Sequence, residues 1–452
     1  TQFIKIGMNV ARLNFSHGTH ETHKEKIDLI KKIRTNLNTP TAIMLDIKGP
    51  KIRTHNFIND GVELKANQIF AFKCGTEITG NTQECSISYS ELYKDVNIGG
   101  TILVDDGLIN FEIIDINGKD IICKVLNDGV IKNHKGVNVP NVSINLPSVT
   151  EKDKDDLVFG CKMGVDFVAA SFIRKASDIK EIRDLLNKNN GKNIQIIAKI
   201  ESQEGVNNID SILEVADGIM VARGDMGVEI PIEKVPIIQK KIIKKCNEAG
   251  KIVITATQML DSMIRNSLPT RAEACDICNA IFDGTDAIML SGESASGQYP
   301  IEAANTMSKI AKETELHLDY NYLNQRLKEP AMYDFAEAIS YSTCRTSNVL
   351  NAKAIVAATN SGATAKLVSK YKPKCPIIAI TPHEEVMRGL SLNFGVYPVL
   401  CQEFATTDDI LNESKKIVAE LNLADKGDDI IVAAGMPTNY TGGTNMLKIE
   451  KL

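Results

Sequence analysis

The chain has 452 residues, of which 43% are hydrophobic and 24% charged. That length holds several domains, and that composition excludes a largely disordered chain. With 52 Lys+Arg against 57 Asp+Glu the net charge is −5, which argues against nucleic acid as the main partner. No apolar run approaches the ~20 residues of a membrane helix. Residues 1–10 lack a signal-peptide pattern, and ten cysteines spread over the chain read as a reduced, cytoplasmic inventory.

In chain order, short β-branched runs at 8–14 and 42–47 bracket an amphipathic helix at 23–37. The interval 51–146 breaks this rhythm. It holds strand-like pieces such as 101–104, 111–116 and 121–125, set apart by Asp-Gly and Asn-Gly turns at 60–61, 106–107, 117–118 and 128–129. A small β-barrel domain inserted after the 42–47 strand is the expectation. The βα rhythm then resumes, with strands at 167–172, 194–200, 218–222, 251–255 and 287–290 and helices at 176–187, 205–215, 231–249, 270–282 and 300–315. Spacings of this length suit a (β/α)₈ TIM barrel, and a doubly wound sheet nearly as well. A third, α/β unit follows a charged stretch at 323–330, with helices at 332–350, 363–371 and 408–421 and strands at 354–358, 377–380, 396–400 and 429–433. The expected division is 1–49 and 148–325 for the barrel, 50–147 for the inserted lid and 326–452 for the C-terminal domain. Cys275 and Cys278 form a lone C-x-x-C inside a helical pattern and read as helix packing.

Polar residues gather at the ends of the barrel strands. Arg12, Asn14 and Ser16 end the first, Asp46 the second, and Lys199 with Glu201 the 194–200 strand. Arg223 and Asp225, Thr257 and Gln258, and Ser291 and Glu293 follow the next three. Six strands delivering ionisable or hydroxyl groups to one edge is the layout of a barrel active site. Glu201 and Asp225 are two carboxylates from neighbouring strands, a pair able to hold Mg²⁺ while leaving positions for water and phosphate. The competing reading is a salt-bridge network with Lys199 and Arg223. Gly224 and Gly227 beside Asp225 allow close approach to the backbone.

At these residues the sequence resembles pyruvate kinase. The stretches that carry the resemblance are 8–20 (MNVARLNFSHGTH), 45–53 (LDIKGPKIR), 199–205 (KIESQEG), 220–229 (MVARGDMGVE), 255–263 (TATQMLDSM), 269–273 (PTRAE) and 283–293 (DGTDAIMLSGE). The resemblance spans essentially the whole chain. It implies phosphoryl transfer from phosphoenolpyruvate to ADP, giving pyruvate and ATP, in a cytoplasmic homotetramer of glycolysis. It implies Arg12 as a phosphate-binding arginine, Lys199 as the cation neutralising the transferring phosphoryl group, and Glu201 and Asp225 as ligands of Mg²⁺ or Mn²⁺. Gly224 and Thr257 become substrate contacts, with the proton for the enolate coming from Thr257 or a water chain. Asn14, His17, Arg53 and Lys135 become nucleotide contacts. Asn14, Ser16, Asp46 and the Ile47 carbonyl fall at a K⁺ site.

Three departures from the family pattern stand out. Seven barrel strands are counted where closure needs eight, so a preceding strand is expected before residue 1. The loop 436–444 lacks the arginines of sugar-bisphosphate-activated relatives, so the phosphate-loop-like residues 359–364 (TNSGAT) are expected to serve no strong bisphosphate activation. Lys51 stands where most members have glutamate, and Ile47 where most have threonine. A fixed ammonium beside the phosphoryl site implies that K⁺ is dispensable. Two other readings remain open: an aldolase-like or carboxyl-cleaving barrel enzyme, which needs no nucleotide lid, and a degenerate scaffold, which would not keep Lys199, Glu201 and Asp225.

Overall fold

Seven parallel strands follow one another around one sheet: Val10–Asn14, Ala42–Asp46, Phe167–Ala170, Gln195–Ile200, Gly218–Ala222, Ile252–Ala256 and Ala287–Ile288. The structure is a computed structural model that describes residues 1–320, 334–437 and 443–452. Each strand neighbours the next in chain order, as in a barrel. A doubly wound sheet would instead reverse its order at a switch point, so the alternative that spacing left open is removed. The described residues hold seven strands of this sheet, and no eighth is among them.

Side chains alternate across each strand, and the alternation builds two cores. Met44, Phe167, Ala169, Ile197, Met220 and Ile254 pack together inside the sheet. The intervening Ile43, Leu45, Val168, Ile196, Ala198 and Val253 pack outward against Ile27, Leu157, Ile182, Ile212 and Ile242 of the surrounding helices. The inner parity continues past the hydrophobic layer. Two residues beyond Met44 comes Asp46, beyond Ile197 comes Lys199, beyond Ala169 comes Ser171, and beyond Val10 comes Arg12. Charged groups therefore crown the inner core at the carboxyl ends of the strands.

The helices begin where sequence chemistry starts them. Thr19, Thr150 and Thr270 form capping boxes before His20–Leu37, Glu151–Met163 and Arg271–Asp283. The expected helix at 205–215 is two pieces, Gln203–Asn207 and Ile209–Val215, divided at Asn208. The expected helix at 231–249 opens as a tighter turn, Ile232–Lys234, before Val235–Ala249. The helix Glu151–Met163 was not expected, although its T-x-x-D cap is visible in the sequence. Cys275 and Cys278 lie on Arg271–Asp283, and all ten cysteines are unpaired.

The inserted segment is a seven-stranded sheet ordered Ile52–Arg53, Gly136–Asn138, Thr101–Val104, Ile109–Asn117, Asp120–Val125, Ile69–Lys73 and Glu84–Ser86. Its two edges meet: Thr54 bridges Ile87, and the Ser88 N–H donates to the Arg53 carbonyl at 2.8 Å. Phe70, Phe72 and Phe111 fill its centre with ring centroids 5.0–5.5 Å apart.

The C-terminal unit is a five-stranded sheet in the order Val396–Leu400, Ile377–Thr381, Ala354–Ala358, Asp429–Ala434 and Met446–Lys451, the last antiparallel to the rest and not anticipated. The expected linker at 323–330, the start of the 332–350 helix and residues 438–442 of the 436–444 loop lie outside the described residues. Among those described, no helix is long and apolar enough to cross a membrane.

Gly218 faces Ile197 on one neighbouring strand and Ile252 on the other. A Cβ there would stand 2.9 Å from the Ile252 carbonyl oxygen and 2.8 Å from Ile197 Cδ1. Neither strand can withdraw without breaking its ladder. Gly218→Ala should cost the barrel about 1–3 kcal/mol, read as a lowered urea midpoint. An unchanged midpoint would contradict this packing.

Candidate active site

Four charged side chains from the strands Val10–Asn14, Ala42–Asp46 and Gln195–Ile200, the last separated from the second by Phe167–Ala170, meet at the mouth of the barrel. Arg12 Nε donates to Asp46 Oδ2 at 2.5 Å. Lys199 Nζ lies 3.3 Å from Asp46 Oδ1 and 3.1 Å from Glu201 Oε1. Asp46 and Glu201 are each 1% exposed. Burial alone would push the Asp46 carboxyl up, but Lys199 and then Arg12 outweigh it and hold the group below the usual carboxylate range. Burial opposes the charge on Lys199 as well, and Asp46 and Glu201 together raise its pKa above the ordinary lysine value. Burial pushes Glu201 up to about 7, with the nearby charge of Asp225 adding to the shift and Lys199 opposing it.

Ser171 joins this cluster, and the sequence reading had passed over it. Its hydroxyl lies 2.7 Å from both Lys199 Nζ and the Ile47 carbonyl, so it relays between a cation and a backbone oxygen. The signal was the same as for the other site residues, a hydroxyl just past a barrel strand. Phe172, at φ 57°, turns its N–H onto Glu201 Oε2 at 2.6 Å. Glu201 Oε1 is buried and, despite its closeness to Lys199, receives no aligned hydrogen bond.

The next two strands supply a second group. Thr257 sits at φ 71°, a left-handed conformation that costs a β-branched residue ~1–3 kcal/mol. Arg223 holds it there: Nη2 donates to the Thr257 carbonyl at 2.6 Å and Nη1 to Asp276 at 2.6 Å. The expected alternative of an Arg223–Asp225 pair is therefore not what forms. The Gly224 N–H donates to Thr257 Oγ1 at 2.8 Å, and that hydroxyl donates to the Ala256 carbonyl at 2.6 Å. Glu293 turns inward and accepts from the Leu260 and Ser291 N–H groups, so it caps backbone instead of facing the mouth.

Asp225 takes its cation from the hinge. Lys51 Nζ lies 3.2 Å from Asp225 Oδ1 and 3.3 Å from Asp106 Oδ1 of the lid. Asp225 and Asp106 outweigh burial and raise the lysine's pKa. Gly136 makes room for the lysine stem, since a Cβ there would stand 2.6 Å from Lys51 Cε. Lys51 thus sits on Asp225, and its hydrogen bonds do not go to Asn14, Ser16, Asp46 or Ile47, the residues it was expected to replace K⁺ among. Three residues of that group, Asp46, Asn14 and Ile47, offer oxygens that already accept from protein donors. Asp46 serves Arg12 and Lys199, Asn14 Oδ1 accepts from the Ser16 N–H at 3.1 Å, and the Ile47 carbonyl accepts from Ser171.

The expected nucleotide contacts fall on two bodies. Arg53 and Lys135 lie side by side on the lid, where the Thr54 N–H donates to the Lys135 carbonyl at 2.9 Å. Arg53 Nη1 donates to the His134 carbonyl at 2.8 Å, and Lys135 Nζ pairs with Asp105 at 2.9 Å. Asn14 and the exposed His17 stay on the barrel. Of the residues 359–364, the first four form a turn in which the Gly362 N–H donates to Thr359 Oγ1 at 2.9 Å, and the last two open the helix Ala363–Lys370.

The donor set at the mouth suits a hard divalent cation. Glu201 has one buried oxygen without a hydrogen bond, and Asp225 is one-third exposed. Among the described residues no group of three or more His, Cys, Asp or Glu side chains could hold a metal alone. Two carboxylates with room for water and phosphate oxygens is what Mg²⁺ accepts and zinc-type cages do not need.

The chain matches two family descriptions, "Pyruvate kinase, barrel domain" over residues 1–304 and "Pyruvate kinase, alpha/beta domain" over residues 337–450. It is 66% identical to a pyruvate kinase of Clostridium perfringens over 453 aligned residues, covering 100% of this chain and 96% of the relative. It is 57% identical to one of Clostridium acetobutylicum, covering 100% and 95%. Its structure is similar to that of a pyruvate kinase from Cryptosporidium parvum, with TM-score 0.95, 40% identity, and 100% of this chain and 92% of that one covered.

Proposed function

The chain belongs to the pyruvate kinase family, a family of glycolytic phosphotransferases. From that premise we propose that it moves the phosphoryl group of phosphoenolpyruvate to ADP, with Mg²⁺, giving pyruvate and ATP. The observation that carries the reading is the Lys199 ammonium held at the barrel mouth between Asp46 and Glu201. Phosphoryl transfer asks for fixed positive charge around the moving group and little covalent chemistry. Lys199 supplies that charge without reorganising, because its partners already orient it. Arg12, braced by Asp46, binds the phosphoryl oxygens. Glu201 and Asp225 would hold Mg²⁺, which would supply divalent positive charge against the negative charge of the phosphoryl transfer.

Arg53 and Lys135 on the lid, with Asn14 and His17 below, receive the nucleotide, which favours a kinase over an aldolase-like barrel enzyme. Gly224 and Thr257 bound the substrate pocket. The Thr257 proton goes to the Ala256 carbonyl, which favours a water relay as the proton source for the enolate. We assign 1–49 and 148–325 to the barrel, 50–147 to the lid and 326–452 to the C-terminal domain, in a cytoplasmic homotetramer.

The same proposal extends to K⁺. Protein donors reach Asp46, Asn14 Oδ1 and the Ile47 carbonyl of the K⁺ group, and Lys51 places a permanent cation on Asp225. Activity should be nearly equal in K⁺ and in tetramethylammonium, while Lys51→Glu should create a K⁺ requirement. A wild-type enzyme reduced to a few per cent of its activity without K⁺ would refute this.

Lys199→Met should leave the fold intact by circular dichroism and lower turnover roughly a hundredfold or more, since loss of a pre-organised charge at such a site costs ~3 kcal/mol or more. Turnover near the wild-type value in a coupled pyruvate assay would remove Lys199 from the chemistry. Glu201→Gln and Asp225→Asn should each weaken Mg²⁺ binding about tenfold or more, because hard cations need anionic oxygen. Calorimetric Mg²⁺ titrations unchanged from wild type would return both residues to a structural role.

A further inference from the structure

A cavity of about 320 Å³ lies where the lid joins the barrel. The chain leaves the strand Ala42–Asp46 through residues 47–51, and it returns from the lid strand Gly136–Asn138 to the helix Glu151–Met163. Both passages line the cavity, 48–52 going out and Leu146, Pro147 and Thr150 coming back. Ser88 and Tyr89 of the lid and Lys152 of the barrel helix complete its wall. Arg12, Asp46, Lys199, Glu201, Asp225 and Thr257 are not among its lining residues.

The charged residues of this wall are three lysines, with no aspartate or glutamate among them. Lys51 Nζ is held by Asp225 and Asp106. Lys152 Nζ donates to Asp156 Oδ2 at 2.6 Å and to the Phe15 carbonyl at 2.9 Å, which leaves the third donor of a half-exposed ammonium. Lys48 is part-exposed, and its ammonium has no hydrogen bond or ion pair among the described residues. Burial, then the charges of Arg53 and Lys152, lower its pKa, while Asp153 opposes them. That carboxylate is fully buried and spent, Oδ1 on the Gly49 N–H at 3.1 Å and Oδ2 on the Thr150 N–H and hydroxyl at 3.0 and 2.6 Å.

These charges set the ligand class. A concave wall of one sign, with an unpaired cation on it, draws an anion. The rest of the wall is largely apolar, from Pro50, Leu146, Pro147 and the ring of Tyr89, whose hydroxyl is committed to Asp95 at 2.9 Å. The volume is that of a small-molecule pocket, with room for an organic group beside the anionic one. A phosphoryl group carries close to two negative charges and three acceptor oxygens, so it uses the donors of Lys48 and Lys152 more fully than a carboxylate does.

We propose that this cavity is a second small-molecule site, for a small organic phosphate monoester. Its phosphoryl group meets the Lys48 ammonium and the free donor of Lys152, and its organic part packs on Pro50, Leu146 and Pro147. Because both passages that carry the lid run along the wall, an occupant braces the lid against the barrel. The assignment does not depend on the phosphoryl-transfer reading.

Hydrogen–deuterium exchange on the full chain tests this, with phenyl phosphate as probe and phenol and inorganic phosphate as its two halves. Amides of both passages can report: the Gly49 and Thr150 N–H groups donate to Asp153, and that of Lys51 to the Gly49 carbonyl. Phenyl phosphate should slow exchange in 48–52 and 146–150 together, equally with and without saturating ADP and Mg²⁺. Phenol should give no protection there, and inorganic phosphate much less at equal concentration. Lys48→Gln should raise the half-saturating concentration of phenyl phosphate about tenfold. Lys48 has no partner to strand, so this variant keeps the fold. Protection absent or confined to one passage, its loss under ADP, an equal effect of phenol or of inorganic phosphate, or an unaltered midpoint in Lys48→Gln would each overturn the site.

Discussion

The Asp46–Lys199–Glu201 contact is the constraint on which the rest of the site depends. A buried ammonium or carboxylate is sustainable only when paired, because removing either from water costs several kcal/mol. Here two carboxylates flank one ammonium, and Arg12 balances the second negative charge. Breaking any member strands a buried charge on top of the inner hydrophobic layer. The inner core of Met44, Phe167, Ile197 and Met220 sets the depth at which these groups sit, so packing and electrostatics fix the same positions.

That dependence extends to the lid. The lid reaches the barrel through polar contacts at a few points: Lys51 between Asp106 and Asp225, Asn138 on Glu229, and Arg174 on the carbonyls of Ile144 and Leu146. Glu229 and Asp225 lie on one short helix, Arg223–Glu229, which follows directly from the Gly218–Ala222 strand. Lid position and the geometry of a proposed metal carboxylate are therefore linked through one helix of seven residues.

The opposite ends of the same strands are tied to the C-terminal unit. Arg388 Nε bonds Asp166 at 2.7 Å just before Phe167–Ala170, Ser391 Oγ bonds the Pro40 carbonyl at 2.8 Å just before Ala42–Asp46, and Gln195 Nε2 bonds the Gly389 carbonyl at 2.7 Å at the start of Gln195–Ile200. These three strands end in Ser171, Asp46 and Lys199. A short segment of the C-terminal unit, 388–391, thus anchors the strands that bear the central charges.

Periodicity and turn chemistry made much of this legible from sequence. The strands, the Asp-Gly turns of the insert and the polar residues at the strand ends are local properties, governed by side-chain alternation and by glycine's access to positive φ. The helix Glu151–Met163 and the final strand Met446–Lys451 were missed, one because its cap was not read and the other because its pattern is half exposed and only pairing with Asp429–Ala434 makes it a strand. Which polar groups touch was beyond sequence reach. That Arg223 clamps Thr257 and Asp276 instead of Asp225, that Lys51 crosses to Asp225, and that Ser171 stands under Lys199 all follow from how strands far apart in the chain are brought within 3.5 Å. Pattern along a chain determines which face a residue takes; only closure of the sheet decides whose charge it meets there, because ion pairing depends on distance in space and is indifferent to distance in sequence.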